Sequence, residues 1–229
     1  FMIFISILVV KCNRLRYTQY RYKYKMEEIM IVNFEQKERL PLSKHEITRK
    51  GELIGTTVLP EAWIGTMQLL GHDYELNAEG FEKVVIRKDG MPYAECMSRL
   101  HVTKQILFVK TGWEYYELIT PEKTYQIYET GLGADKHFYS FYEHDQVVAI
   151  IHKSDVVKRF LDTYTFYMKE EQHLEAVSLY CLFLESTQYY DMDATGNESS
   201  ATETITMQKE LKEKYDPTFI EQVIAMDKE

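Results

Sequence analysis

The sequence predicts a mainly β protein in which a sheet or barrel wraps one buried helix near the C-terminus. Two observations carry this. The first is Asp162–Thr187, where an alternating strand runs straight into a helix whose residues Leu174, Ala176, Val177, Leu179, Tyr180, Cys181, Leu182, Phe183 and Leu184 leave no wet face. Such a helix must be buried on every side. Its apolar run is about half of the roughly 20 residues a membrane span needs, so a protein interior is the expected surrounding. The second is the rhythm of turn signals, which recur every dozen or so residues before that helix, as in an antiparallel barrel or sandwich.

Each element follows from local pattern. Ile29–Phe34 is a short apolar strand. Ile47–Leu59 reads as a hairpin turning at Lys50–Gly51. Val84–Met97 is the clearest hairpin, with Asp89–Gly90 supplying positive φ at its turn. Gln105–Val109 and Trp113–Ile119 are expected to flank a turn at Lys110–Thr111–Gly112. Tyr125–Glu129 and Phe138–Tyr142 flank the loop Thr130–His137, and Val147–His152 precedes the strand Tyr164–Met168. The 18 Tyr and 11 Phe suit half-buried pleated surfaces. Two stretches break the rhythm: Pro60–Leu70, a short helix or an irregular strand anchored by Trp63, and Lys153–Leu161, one or two helical turns.

Past Tyr190 the composition changes. Asp191–Thr204 is a polar, small-residue linker. Thr206–Tyr215 is charged and compatible with a helix. Asp216–Pro217 then offers an N-cap and a first-turn proline for a last helix, whose face carries Phe219, Ile220, Val223 and Ile224. That stripe is the candidate contact surface for a protein partner; the competing expectation is that it folds back on its own barrel. The domain division is therefore 26–190 for the barrel, 191–204 for the linker and 205–229 for a helical tail.

Charge narrows the partners. The net charge is −9, but residues 1–25 hold Lys11, Arg14, Arg16, Arg21, Lys23 and Lys25 with no acid, which leaves −15 on the remainder. A body so acidic repels phosphate backbones, so nucleic acid is not an expected partner. Phe1–Val10 is apolar but precedes its basic cluster, the reverse of a signal peptide, and is too short to span a bilayer. Residues 1–25 read as an extension upstream of an initiator at Met26, with a membrane-surface anchor as the competing reading. Three cysteines, Cys12, Cys96 and Cys181, include no close pair, which argues for reduced thiols and a cytoplasmic setting over a disulfide framework.

Hairpins of the type ITRKGELIG and VVIRKDGMPYAE, followed by the strand DTYTFYM and an apolar helix, resemble the tubby C-terminal-like superfamily, which includes the LURP-one-related proteins. The resemblance covers roughly Ile29–Tyr190. It implies a closed barrel of about twelve antiparallel strands threaded by one hydrophobic helix, Leu174–Leu184. It implies no catalytic motif. Tubby proteins bind phosphoinositide head groups through basic residues on one barrel face; Arg49, Lys50, Arg87 and Lys88 lie near turns here and are read as solvated turn residues.

Motifs of catalysis are absent from the sequence: no phosphate-binding glycine loop, no HExxH and no GxSxG. Thr130–Asp135 reads as a hairpin loop. His137 and His144 are seven apart, which puts them on opposite faces of an uninterrupted strand and argues against a shared metal. Glu170–Glu171 are expected in the first turn of the buried helix, where negative charge is favourable. We therefore expect no catalytic residue, no cofactor and no metal. The expected function is a non-enzymatic binding or scaffold module. A carrier of lipid or a small apolar ligand at a membrane surface is the alternative, and an enzyme with a loop-built site comes third.

Overall fold

The computed structural model describes residues 30–39, 42–78, 83–106, 109–133, 135–154, 161–188 and 209–227. The expectations for residues 1–25, for the linker 191–204 and for most of Lys153–Leu161 lie outside these. Twelve antiparallel strands close into one barrel: β1 (Met30–Glu38), β2 (Ser43–Arg49), β3 (Glu52–Glu61), β4 (Ile64–Leu69), β5 (His72–Ala78), β6 (Lys83–Lys88), β7 (Met91–Ile106), β8 (Val109–Ile119), β9 (Thr124–Gly131), β10 (His137–Glu143), β11 (Gln146–Lys153) and β12 (Thr163–Met168). Each strand pairs with its sequence neighbours, and β1 closes the ring against β12 with Met30 opposite Met168 and Phe34 opposite Tyr164. Closure leaves no end strand unpaired.

A single turn of 3-10 helix, Glu171–His173, leads from β12 into the bore, which is occupied by α1 (Leu174–Thr187). Every residue of α1 from Ala176 to Ser186 is buried. The inward residues of the wall meet it in alternation: Val32 and Phe34, Met67 and Leu69, Leu76, Ile86, Cys96, Leu118, Ile127, Phe141 and Phe166 share one core with Val177, Tyr180 and Leu184. Burying each large apolar side chain contributes roughly 1.5–3 kcal/mol, so filling the bore is the main favourable term. Two wall glycines allow close packing: a Cβ on Gly55 of β3 would lie 2.6 Å from the carbonyl oxygen of Gln68, and one on Gly65 of β4 would lie 2.9 Å from the Leu182 side chain of α1, which would have to shift.

The far end of α1 is held by the barrel itself. The amide of Trp63 donates to the carbonyl of Ser186 over 2.9 Å, from a turn in which Trp63 takes φ +67°. Pro60–Leu70 is thus the end of β3, a tight turn and β4; Trp63 anchors it through its backbone.

Other turns match their sequence signals. Gly51 and Gly90 have φ of +82° and +80°, the left-handed conformation that L side chains resist. The β7–β8 connection differs from expectation. Lys110, Thr111 and Gly112 lie inside β8, and the strands run on to Ile106 and from Val109. Gly112 serves close approach and does not mark a turn. It stands opposite Val102 beside an irregularity between Val102 and Lys104, and a Cβ there would sit 1.9 Å from the carbonyl oxygen of His101.

Leu184→Asp would bury an unpaired charge inside the bore. The expected result is loss of cooperative thermal melting by circular dichroism, whereas Leu184→Met should cost under about 1.5 kcal/mol. A soluble, cooperatively melting Leu184→Asp protein would place α1 outside the barrel.

Candidate functional site

Polar groups inside the barrel gather at the two ends of α1. At its first turn Glu175 accepts from Lys88 Nζ at 2.7 Å, from the Tyr93 hydroxyl at 2.9 Å and from the Tyr74 hydroxyl. Burial pushes the Glu175 carboxyl up, but Lys88 and the two hydroxyls outweigh it and hold it below its ordinary value. The helix N-terminus favours the same charge. Glu170 and Glu171, expected in this turn, lie ahead of it on the 3-10 segment, and Glu171 accepts from Arg49 at 3.3 Å.

The opposite end holds a more enclosed cluster. Glu185 Oε2 is 2.9 Å from His45 Nε2, His45 Nδ1 is 2.9 Å from Thr57 Oγ1, and the Tyr164 hydroxyl donates to Glu185 Oε1. Lys153 and Asp162 form an adjoining ion pair. Burial pushes Glu185 up, and the partnership with His45 and Tyr164 reverses this to a net lowering. Burial together with the charge of Glu185 raises the Asp162 carboxyl, against the pull of Lys153. A hydroxyl, an imidazole and a carboxylate in line have the order of a nucleophile–base–orienter relay. Here they are sealed: Thr57 and His45 are each 1% exposed and Glu185 2%. Sealed in this way, the cluster ties the end of α1 to β2 and β12.

His173 is buried at the entry to the bore, with its Nδ1 3.2 Å from the Tyr125 hydroxyl. Burial and the nearby Lys123 lower its pKa to about 4, against a smaller opposing pull from Glu143. Among the described residues, no group of three or more His, Cys, Asp or Glu is arranged to hold a metal. His137 pairs with Glu129 at 2.7 Å, while His144 sits in the β10–β11 turn with φ +48°. Cys96 and Cys181 are both buried and free, and burial pushes both thiols up.

The outer surface divides in two. On one side the tail lies along the wall. α2 (Lys209–Lys212) places Leu211 against Trp113 and Tyr128. α3 (Pro217–Met226) is capped by Asp216, whose side chain accepts from the amide of Thr218 at 2.9 Å. Its Phe219 and Val223 pack on Phe138 and Ile150, the outward residues of β10 and β11. This explains why β10 is buried on both faces from Phe138 to Phe141. The stripe expected to contact a partner is therefore largely spent within the chain: Phe219 and Val223 are 2% and 0% exposed, Ile220 is half-buried against the same cluster, and Ile224 is half-buried. Two strands with apolar outer faces supply a nearer partner than any other molecule.

On the other side no described helix covers the wall. Leu53, Leu70 and Met91 stand exposed at three successive hairpin tips on the rim where α1 enters. Of the four basic turn residues named above, Arg87 is exposed and the other three pair within the chain. Lys50 lies 3.6 Å from Asp227, and Arg49 and Lys88 bind the acids already named. Shallow depressions occur between the β8–β9 and β10–β11 turns, about 500 Å³, and beside Leu53 and Leu70, about 330 Å³. Both are outside the barrel.

A further feature is a ribbon that sequence reasoning missed. Among the described residues the last pair between β6 and β7 is Lys83 with Met97, and the last between β8 and β9 is Tyr116 with Ile127. Beyond these pairs β7 and β8 continue together to Ile106 and Val109. Leu100 and Val102 are 50% and 40% exposed, on the face that in the barrel proper turns inward. The opposite face carries Arg99, bonded to Glu117 at 2.7 Å, and His101, stacked on Trp113 at 4.5 Å.

Neither a protein-family profile, a curated protein nor a solved structure matches the chain.

Two outcomes follow from these contacts. Phe219→Ala should lower stability by roughly 3 kcal/mol and Ile224→Ala by less than about 1 kcal/mol, measured by denaturant unfolding; equal small losses would detach α3 from the wall. The unfolded chain protonates His173 near pH 6.5, whereas the folded chain does so only near pH 4. Its contribution is therefore intact above pH 6.5 and is lost as pH falls toward 4, by at most about 3 kcal/mol. His173→Phe should flatten the stability profile between pH 6.5 and 4, and an unchanged slope would assign that slope to other groups.

Proposed function

We propose that this chain is a non-enzymatic binding or scaffold module that holds a protein partner on the outside of its barrel. The observation that carries this reading is the filled bore. A barrel can serve as a carrier when its interior is open to an apolar ligand, and here α1 occupies that interior from Leu174 to Thr187, with both its ends tied to the wall. The exposed large apolar side chains lie on the rim, on the ribbon and, as Met226, at the end of α3 instead, and among the described residues the ribbon offers the longest unpaired stretch of strand. A binding function needs a rigid platform more than a pocket, and the locked helix supplies one.

The same architecture, twelve strands around a hydrophobic helix, is what the resemblance to the tubby C-terminal-like superfamily implies, and membership of that superfamily is part of this proposal. So is a cytoplasmic location, supported by the free thiols of Cys96 and Cys181. No described helix is long and apolar enough to cross a membrane.

Native mass spectrometry of the gently purified chain, residues 1–229, tests the reading. The expected spectrum shows the bare chain plus a species with a co-purifying polypeptide, and that species disappears from a Leu100→Glu, Val102→Glu variant of unchanged melting temperature. A stoichiometric small-molecule adduct retained by both proteins would overturn the reading in favour of a carrier.

A further inference from the structure

Among the described residues, four hairpins on the rim where α1 enters turn through two residues each, and in all four both residues have positive φ. Three of them close on glycine: Gly51, Gly71 and Gly90, at φ of +82°, +84° and +80°. Such a turn favours glycine, which has no Cβ to clash. The β10–β11 turn departs from this pattern. It uses His144 at φ +48° and Asp145 at φ +64°, a conformation that is costly for an L side chain. The departure places a carboxylate on the wall of the depression, about 500 Å³, between the β8–β9 and β10–β11 turns.

The lining of that depression suits a cation. It includes the Tyr142 ring, the side chains of Glu122, Lys123 and Asp145, and His144. Lys123 is matched by Glu143, whose carboxylate accepts from it at 2.9 Å. Glu122 and Asp145 are exposed, and among the described residues neither pairs with a cation. Tyr142 independently shows what its ring attracts. The ammonium of Lys214 lies 5.0 Å from its centroid and 4.6 Å from that of Tyr128. The two rings stand at 87° with centroids 5.3 Å apart, a corner that holds a cation by the negative faces of its walls. Among the described residues no carboxylate pairs with Lys214, so the ring faces are what its charge rests on.

We propose that the depression beside Tyr142 binds the ammonium or guanidinium group of a basic side chain on a partner protein, with Glu122 and Asp145 as its counter-charges. This rests on the binding-module reading and names the partner's chemistry at the rim. The volume lies within the usual range of ligand sites, roughly 300–1,000 Å³, but the depression is open and covers one side of an occupant only. A free amine gains little contact there, whereas a side chain carried by a larger partner brings further contacts with it. A metal ion is a poorer occupant, because among the described residues no group of three or more His, Cys, Asp or Glu is arranged to hold one.

The test follows amide chemical shifts of the chain, residues 1–229, during titration with a capped Gly-Ser-Lys-Ser-Gly peptide. Its arginine and glutamate counterparts and n-butylammonium chloride serve as comparisons. The lysine and arginine peptides should shift the amides of Tyr142, His144 and Asp145 saturably, and the glutamate peptide should not. Asp145→Gly restores the residue of the three sister turns, so the melting temperature should hold or rise while affinity falls about fivefold. Glu52→Gln removes an equal charge from a neighbouring turn and should leave affinity unchanged. Lys214→Ala clears a competing cation from the Tyr142 ring and should raise affinity roughly twofold to fivefold. Shifts spread evenly over the acidic surface, or equal affinity with and without Asp145, would overturn the inference. Binding of n-butylammonium as tight as that of the lysine peptide would overturn it too, in favour of a free amine. If neither basic peptide reaches the depression while a polypeptide still co-purifies with the chain, the cation site fails and the binding-module reading stands. If that polypeptide is absent as well, both fail.

Discussion

A helix without a polar face has to be covered on all sides, and the rest of this structure is the means of covering it. Twelve strands are enough to close around one helix, and closure removes the unpaired edges that an open sheet would have to protect. Glu175 and Glu185 would be prohibitive inside an apolar bore if left alone. The wall answers both: Lys88, Tyr74 and Tyr93 converge on Glu175, while His45 and Tyr164 converge on Glu185. Because these partners come from β2, β5, β6, β7 and β12, the two carboxylates fix the helix's depth and rotation against strands distant in sequence. Apolar contact alone, which is non-directional, would leave both free to slide.

The wall is unequal around its circumference, and that inequality decides where another molecule could meet it. Strands β10 and β11 are apolar outside as well as inside, and the tail covers them through Phe219 and Val223. α2 extends this cover to Trp113 at the root of the ribbon. The ribbon's outer face is thereby braced, while no described residue pairs with its β6-side edge beyond Met97. A two-stranded ribbon in isolation is marginal in water. Here the stacking of His101 on Trp113, and the packing of Trp113 under Leu211, tie it to the barrel.

Much of the architecture was legible because it rests on local signals. The apolar helix announced its own burial, Lys50–Gly51 and Asp89–Gly90 marked their turns, and Asp216–Pro217 opened the last helix where the sequence placed it. The errors share a physical cause, which is that tertiary contact reassigned a local signal. Gly112 looked like a turn residue, and the close approach of His101 made it a strand residue. Pro60–Leu70 was left open between a short helix and an irregular strand, and the bond from the Trp63 amide to the end of α1 lies in the turn between two strands. Phe219 and Val223 were correctly seen as one face. What that face would meet depended on the outward residues Phe138 and Ile150, and no pattern within the tail could reveal that. The ribbon was hidden for a similar reason: its length is set by where β6 and β9 stop pairing.

The cluster of Thr57, His45 and Glu185 shows why geometry and access must be weighed together. Its spacings would suit proton relay from a hydroxyl, but relay chemistry needs a reacting atom within about 3 Å of the nucleophile and a path for it to arrive. All three residues are buried at the end of α1. Withdrawing the helix would strip the partners from Glu175 and Glu185 and expose the core of the barrel together. The contacts that make this constellation well ordered are the ones that bury it.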